Sequence, residues 1–133
     1  MNTSTTAPVV LITGAAGLLG RALRHELCRE GSLLRPAELR LLDLHPPSSP
    51  QALSGEPPTR WIQADIRDAD ALTRACEGVD LVFHGAALID LLDHPPELVS
   101  AINVGGTENL VAACREAGVR ALVHTSSEDA VYG

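Results

Sequence analysis

Apolar residues follow two alternating patterns along this chain. Short, nearly continuous apolar runs rich in valine, isoleucine and leucine are typical of strands that are buried on both faces of a parallel sheet. The first run begins at Val9 and breaks at Gly14, and the others cover residues 38–44, 60–64, 80–84 and 119–125. Apolar residues at helical spacing predict amphipathic helices at 18–29, 70–77 and 97–117.

Turn and capping residues separate these elements. Gly31 supplies the end of the first helix, and the proline-rich segment 45–59 is a loop because proline is excluded from sheet interiors. Either Asp68 or Asp70 is expected to cap the second helix. Pro95 and Pro96 open the third helix, which Gly118 closes.

Five strands that alternate with helices predict a parallel sheet with right-handed crossovers. A doubly wound sheet in one Rossmann-like α/β domain then has the strand order 3-2-1-4-5. We expect residues 8–133 to form this domain and residues 1–7 to form a disordered tail. No covering helix follows the fifth strand before Gly133, which leaves an apolar face and an open edge. We therefore expect a domain truncated after strand five, the front part of a longer protein.

Charge and composition narrow the classes of partner. The chain has 17 acidic and 10 basic residues and a formal net charge of −7. This balance argues against nucleic acids and anionic membranes as partners. An apolar fraction of 45% indicates a well-cored globular domain.

Three cysteines, Cys28, Cys76 and Cys114, fall on predicted helices without a CxxC pair. This favours buried thiols in a reducing compartment. The N-terminal residues lack the features of a signal peptide, and no apolar run approaches the ~20 residues of a transmembrane helix. A cytoplasmic location is therefore the default expectation. No His, Cys or Asp spacing predicts a metal site.

The corner between the first strand and the first helix carries Gly14, Gly17 and Gly20. Gly14 can form the tight turn, Gly17 can let backbone approach a ligand, and Gly20 can let the helix pack on the strand. Free N–H groups and the helix dipole then favour a pyrophosphate at the helix start. A purely structural turn is the alternative, because the spacing is GxxGxxG rather than GxGxxG.

Asp43 ends the second predicted strand, where a dinucleotide fold places an acidic residue on the adenosine ribose. A charged hydrogen bond there contributes roughly 1.5–3 kcal/mol, whereas a 2′-phosphate would face a like charge. Leu44 and His45 offer no arginine that reverses this preference, so NAD is favoured over NADP. Arg21 is the residue that weighs against this choice, and a solvated loop carboxylate is the alternative role for Asp43.

Further cofactor contacts are predicted after the third and fourth strands. Asp65 can accept a hydrogen bond from the adenine amino group, and Ile66 can cover the ring; helix capping by Asp65 is an equal alternative. Ala86 and Ala87 allow close approach of a cofactor, although alanines after a strand are common.

Five segments occur in the order that is typical of extended short-chain dehydrogenases. They are TGAAGLLG at 13–20, ADIRD at 64–68, VFHGAALID at 82–90, NVGGT at 103–107 and HTSS at 124–127. The last three segments most resemble the 3β-hydroxysteroid dehydrogenase/isomerase branch. The resemblance covers the chain after Ala7 and implies an NAD-dependent oxidoreductase.

The resemblance also implies a role for each matching residue. The glycine turn belongs to the pyrophosphate, Asp43 to the ribose, and Asp65 with Ile66 to the adenine. The expected cofactor contacts are Gly14, Ala16, Gly17, Leu18, Leu19, Gly20, Asp43, Asp65, Ile66, Ala86 and Ala87.

Three residues match the family's catalytic machinery. Asn103 corresponds to a helix asparagine that supports the catalytic lysine through water. Ser126 and Ser127 bracket the catalytic serine that holds the substrate oxygen, and we favour Ser127. An ordinary buried amide is the alternative for Asn103, and turn residues are the alternative for the serines.

The chain departs from the family at the acid–base pair. The family's proton donor is the tyrosine of a Tyr-x-x-x-Lys motif that lies beyond the fifth strand. Here there is no lysine, and the single tyrosine, Tyr132, matches a different segment. Because a missing general acid–base group lowers rates by about 10²–10⁴-fold, the 133-residue chain alone is expected to be inactive. His84 is a substitute base only if it is not simply a hydrogen-bonded structural residue.

Three functions are compatible with these observations. The first is the cofactor-binding part of an NAD-dependent oxidoreductase that oxidises a secondary alcohol on a steroid-like substrate by hydride transfer. The second is a non-catalytic dinucleotide-binding module or truncated regulatory product. The third is an epimerase or dehydratase of the same superfamily acting on sugar nucleotides. A homodimer of the longer protein is compatible with each.

Overall fold

A five-stranded parallel sheet forms the centre of the computed structural model, which describes residues 6–89 and 93–127. Its strands are β1 (Val9–Thr13), β2 (Glu38–Asp43), β3 (Thr59–Gln63), β4 (Leu81–His84) and β5 (Ala121–His124). Their order in the sheet is β3-β2-β1-β4-β5, and every neighbouring pair is parallel. The predicted doubly wound order is therefore confirmed.

The connecting helices lie on both faces of the sheet. They are α1 (Leu18–Cys28), α2 (Ala69–Cys76), α3 (Pro96–Ser100) and α4 (Thr107–Ala117), with a π-helical segment (Ala101–Gly106) between the last two. The helical backbone runs without a break from α3 into α4.

Alternate residues of the central strands supply two separate cores. Val10 and Ile12 of β1 pack on the α1 side with Leu27, whereas Leu11 packs on the other side with Leu72 and Leu110. Covering both faces explains why β1 is apolar at successive positions rather than at every second one.

Several element ends differ from the sequence prediction by one or two residues, and the cap of α2 is one of the two predicted alternatives. Asp68 rather than Asp70 caps α2, because its carboxylate accepts a hydrogen bond from the Ala71 N–H at 3.0 Å. The fifth strand begins two residues later than predicted, at Ala121. Gly118 adopts a left-handed conformation, and the Val119 N–H bonds back to the Cys114 carbonyl, so both still belong to the helix end.

The regular helix predicted for 97–117 is wrong in its middle. Residues 101–106 form a π-helical segment that ends on the glycine pair Gly105 and Gly106. Glycine disfavours a regular helix because it loses the most backbone entropy there, which makes such a local change of pitch less costly. Just after this segment, the Thr107 hydroxyl donates to the Asn103 carbonyl at 2.7 Å, the bond that a helical threonine commonly makes to the residue four positions earlier.

Some of the sequence predictions concern residues that lie outside the described part of the chain. Residues 1–5 of the predicted tail lie outside them, as do Asp90 and Tyr132. β5 is an edge strand, and its Val123 side chain is 46% exposed. Cys28, Cys76 and Cys114 are buried free thiols.

Two searches of the described part of the chain bear on membranes and metals. Among its helices, none has the length and apolar character needed to cross a membrane. Within residues 6–89 and 93–127, no group of three or more His, Cys, Asp and Glu side chains is placed to hold a metal ion.

Candidate functional site

A cleft of about 470 Å³ lies at the carboxyl ends of β1, β2, β3 and β4. Open α/β sheets bind ligands at this edge, where the connections diverge on either side of the first strand. Ten of the predicted cofactor residues line the cleft: Gly14, Gly17, Leu18, Leu19, Gly20, Asp43, Asp65, Ile66, Ala86 and Ala87.

The glycine turn is held by close backbone packing. Gly14 has a φ of +69°, and a Cβ there would lie 2.7 Å from the Ala86 nitrogen. A Cβ on Gly20 would overlap the Gly14 carbonyl oxygen and the Ala15 backbone. Gly17 differs, since its Cβ would meet only the Gly14 oxygen at 3.3 Å among the described atoms. Two glycines thus serve packing, and the third leaves open backbone at the cleft.

The amino end of α1 points its positive dipole end at this opening. Gly17 is the N-cap, and within the described residues α1 has neither a side-chain cap nor an acidic residue in its first turn. The first N–H groups of a helix have no intrahelical partners. They therefore remain available to an anion rather than to a carboxylate of the chain.

Asp43 stands beside the glycine turn with its carboxylate fixed in place. One oxygen accepts the Ala16 N–H at 3.0 Å, and the other accepts the His45 N–H at 2.9 Å. Ala16, the eleventh predicted cofactor residue, is therefore tied to Asp43 and is not among the described cleft-lining residues. Each carboxylate oxygen keeps a second acceptor site for a ligand hydroxyl.

Asp65 is held differently, by a neighbouring arginine. Its two oxygens accept from the Arg67 guanidinium, the shortest contact being 2.6 Å, and from the Arg67 backbone N–H at 2.9 Å. These hydrogen bonds and the adjacent positive charge lower the pKa of the Asp65 carboxyl. The alternative role in helix capping falls to Asp68 instead.

Ile66 and the residues after β4 form the rest of the cleft wall. Ile66 is 5% exposed and packs where a Cβ on Gly106 would overlap its side chain. Residues 85–89, here called the wall segment, also line the cleft. The Gly85 N–H bonds the Thr13 carbonyl at 3.1 Å, and the Ala86 N–H bonds the Thr13 hydroxyl at 3.3 Å.

The residues matched to the catalytic machinery lie near the same sheet edge. The Asn103 amide makes two hydrogen bonds to the Leu88 backbone, at 2.8 and 2.9 Å. Hydrogen bonds to backbone are what the alternative role of Asn103, an ordinary buried amide, predicts. They orient the side chain towards the wall segment. Ser126 and Ser127 are exposed residues just after β5. None of the three is among the described cleft-lining residues, and their catalytic roles stay predictions.

His84 is a hydrogen-bonded core residue rather than an exposed base. Its ring is 1% exposed and bonds the hydroxyls of Thr13 at 2.7 Å and Thr107 at 2.9 Å. The His124 ring stacks on it with centroids 5.1 Å apart. Burial first, and the second imidazole next, lower the pKa of His84 to about 4. It is therefore neutral near pH 7.

Several residues that line the cleft were not predicted from the sequence. They are Leu42, Leu44, Ala64, Gly85, Leu88, Ile89 and Ile102. Most of them flank predicted positions at strand ends, so the carboxyl edge of the sheet is the signal that would have found them. Ile102 is different because it comes from the π-helical segment, and only tertiary packing brings it to the cleft.

A family model of the 3-beta hydroxysteroid dehydrogenase/isomerase family matches residues 11–133. A 3 beta-hydroxysteroid dehydrogenase/Delta 5→4-isomerase of Mycobacterium tuberculosis is 38% identical over 130 residues, covering 93% of this chain and 33% of that protein. The rat 3 beta-hydroxysteroid dehydrogenase type 7 is 38% identical over 127 residues, covering 94% and 37%. The chain thus spans about a third of the length of these relatives.

Solved structures with the same fold include enzymes that act on other substrates. A mutant uronate dehydrogenase of Agrobacterium tumefaciens in complex with NAD has a TM-score of 0.74 and 32% identity, over 90% of this chain and 41% of that one. A UDP-glucose-4-epimerase of Stenotrophomonas maltophila with bound NAD has a TM-score of 0.74 and 30% identity, over 95% and 38%.

Proposed function

Because the chain belongs to the 3-beta hydroxysteroid dehydrogenase/isomerase family, we propose that it is the NAD-binding part of an oxidoreductase. The reaction is oxidation of a secondary alcohol on a steroid-like substrate, or its reversal. The curated relatives that carry this name support the proposed substrate class.

The observation that carries the proposal is the pairing of two features across one cleft. The uncapped amino end of α1 with its open glycine suits a pyrophosphate, and the fixed Asp43 carboxylate suits a pair of ribose hydroxyls. Asp65 and Ile66 line the same cleft farther along the sheet edge, where an acceptor and an apolar surface suit adenine. These groups fit the polar and apolar parts of NAD in order.

NAD supplies a nicotinamide that accepts hydride from the alcohol carbon. The chain's own contribution is to bind and orient this cofactor at the sheet edge. Ser127, with Ser126 as the alternative, is proposed to hold the substrate oxygen from the end of β5. Asn103 is proposed to support the acid–base machinery from the helix beside the wall segment. The tyrosine–lysine pair of the family is absent from the printed sequence.

Calorimetric titration of the chain with NADH and NADPH tests the cofactor assignment. We expect NADH to bind more tightly, because the Asp43 carboxylate attracts ribose hydroxyls and repels a 2′-phosphate. The Asp43→Asn variant should lose roughly tenfold or more of the NADH affinity and most of the discrimination. Asp70→Asn, on the exposed first turn of α2, is the matched control and should bind like the wild type.

The opposite order of affinities would show that Asp43 does not select the cofactor. Equal NADH affinity of the wild type and Asp43→Asn would show that Asp43 does not contact the cofactor. No binding of either dinucleotide would contradict the cofactor role of the cleft.

A sugar-nucleotide or uronate substrate is the second candidate. It is favoured by the TM-scores of 0.74 to a uronate dehydrogenase and a UDP-glucose-4-epimerase. Assays of the longer protein with a 3β-hydroxysteroid, a uronate and a UDP-sugar decide between the two. Reduction of NAD with the steroid alone supports the first candidate, and turnover of either sugar supports the second.

A further inference from the structure

The His84 side chain makes hydrogen bonds to two other elements of the fold, in addition to the sheet pairing between β1 and β4. His84 ends β4, its Nδ1 contacts the Thr13 hydroxyl at the end of β1, and its Nε2 contacts the Thr107 hydroxyl at the start of α4. Both contacts are shorter than 3 Å and the ring is almost fully buried. The side chain is thus committed to structure at the edge of the cofactor cleft.

The direction of each hydrogen bond follows from the proton count. The Thr107 hydroxyl donates its single proton to the Asn103 carbonyl, so towards His84 it can only accept. His84 Nε2 therefore carries the proton and Nδ1 is the acceptor. The Thr13 hydroxyl donates to Nδ1, and its oxygen accepts the Ala86 N–H. Every member of this chain of bonds has one defined role, which selects one neutral tautomer.

One end of this chain of bonds reaches the wall segment directly, and the other end reaches the backbone of a residue whose side chain holds the wall segment. At one end, the Thr13 oxygen holds the Ala86 N–H. At the other, the Thr107 hydroxyl bonds the Asn103 backbone carbonyl, and the Asn103 side-chain amide makes two hydrogen bonds of its own to the Leu88 backbone. The wall segment is neither helix nor strand, so these side-chain bonds supply much of its restraint.

We propose that His84, as the Nε2–H tautomer, is a positioning residue that fixes the wall segment of the dinucleotide cleft through Thr13 and Thr107. It does not touch the cofactor. This proposal rests on the proposed cofactor role of the cleft. The sequence alone left His84 as a hydrogen-bonded structural residue or a substitute base, and it indicated no role for the side chains of Thr13 and Thr107.

The tautomer is tested on the wild-type chain by ¹⁵N NMR of the histidine rings at pH 7. We expect His84 to show a protonated Nε2 and an unprotonated Nδ1. A proton on Nδ1, either alone or together with one on Nε2, would overturn the proposal. This measurement needs neither a ligand nor a variant.

The positioning role is tested with Thr107→Val, which keeps the shape of the side chain but removes the hydroxyl. We expect faster hydrogen exchange at the Ala86 and Leu88 amides and a roughly threefold to tenfold weaker NADH affinity. Thr107→Ser should restore both. Thr59→Val is the matched control, because the Thr59 hydroxyl bonds within its own segment, to the Pro57 carbonyl and to Glu56, at the amino end of an edge strand.

Unchanged exchange at Ala86 and Leu88 in a folded Thr107→Val variant would contradict the proposal. So would a loss that Thr107→Ser fails to restore. If the wild-type chain binds no dinucleotide, the proposed function fails, whereas the exchange rates and the tautomer still decide whether His84 positions the wall segment.

Discussion

At the scale of single residues, the two acidic side chains of the cleft differ in what neutralises them. Asp43 accepts two backbone N–H groups, which fix its geometry without cancelling its charge. Asp65 is paired with the Arg67 guanidinium, which takes up both carboxylate oxygens. Asp43 is therefore the group that can repel a phosphate, whereas the negative charge of Asp65 is offset by the Arg67 guanidinium.

The buried His84 predicts a specific dependence of stability on pH. Its pKa of about 4 in the folded chain lies below the ~6.5 of an unfolded histidine. Between these values the unfolded chain binds more protons, so the free energy of unfolding falls as the pH falls. The slope approaches about 1.4 kcal/mol per pH unit from this group.

Denaturation of the wild type at pH 7, 6 and 5 measures this slope. His84→Gln should show a shallower slope over the same range, whereas His25→Gln, an exposed histidine on α1, should keep that of the wild type. Paired carboxyls with lowered pKa values, such as Glu38, add their effect at lower pH in all three proteins. Identical slopes for wild type and His84→Gln would mean that His84 titrates normally.

Adjacent glycines of the π-helical segment are expected to respond oppositely to alanine. At Gly106 a Cβ would overlap the Ile66 side chain, so Gly106→Ala should destabilise the chain by about 1–3 kcal/mol. At Gly105 it would meet no described atom within 4 Å, so Gly105→Ala should stabilise by about 0.5–1 kcal/mol. Urea denaturation of both variants measures the difference. Equal effects would show that Ile66 does not pack there.

At the scale of elements, a buried arginine joins β2 to the end of α2. Arg40 is 7% exposed, and its guanidinium donates to the carbonyls of Ala75 and Glu77 and to the Glu38 carboxylate. The last carbonyls of a helix lack intrahelical partners, so this side chain satisfies them inside the fold. These hydrogen bonds explain why an arginine can occupy a buried position on a strand inside the sheet.

Replacing Arg40 with methionine should cost about 1–3 kcal/mol of unfolding free energy, because buried carbonyls lose their donor. Arg60 pairs with the same Glu38 at 3.3 Å but is mostly exposed, so Arg60→Met should change stability by less than about 0.5 kcal/mol. Thermal and urea denaturation of the two variants give the comparison. A larger loss in Arg60→Met would reverse the assignment of the structural role.

At the scale of the whole molecule, the described sheet edge offers the contacts of a cofactor site, while the printed sequence lacks the family's proton-transfer pair. The chain covers about a third of its curated relatives, and it contains no lysine. We therefore expect binding and reaction to be separable in this chain.

We expect the 133-residue chain to bind NAD but to form no NADH when a 3β-hydroxysteroid is added. The missing acid–base pair alone lowers the rate by about 10²–10⁴-fold. Absorbance of NADH at long incubation is the measurement, with a longer protein carrying a Tyr-x-x-x-Lys motif as the positive control. Clear turnover by the chain alone would mean that another residue moves the proton.

The sequence by itself determined the features that depend on neighbours along the chain. The strand order follows from the alternation of apolar runs and helical patterns, and the glycine turn and Asp43 follow from their place at strand ends. Cleft residues at these positions could be predicted from the sequence, because parallel strands present their carboxyl ends at one edge of the sheet. Such patterns depend only on neighbouring residues in the sequence. For this reason they predict that an element exists better than they predict the residues at which it begins and ends.

Only the tertiary structure decided what joins distant positions. Thr13, His84 and Thr107 lie far apart in the sequence, and no periodicity connects their hydrogen bonds. The bond from Ala16 to Asp43 and the arrival of Ile102 at the cleft depend equally on packing. Such contacts are selected by burial and by the requirement that each buried polar group has a partner, which only the folded chain defines.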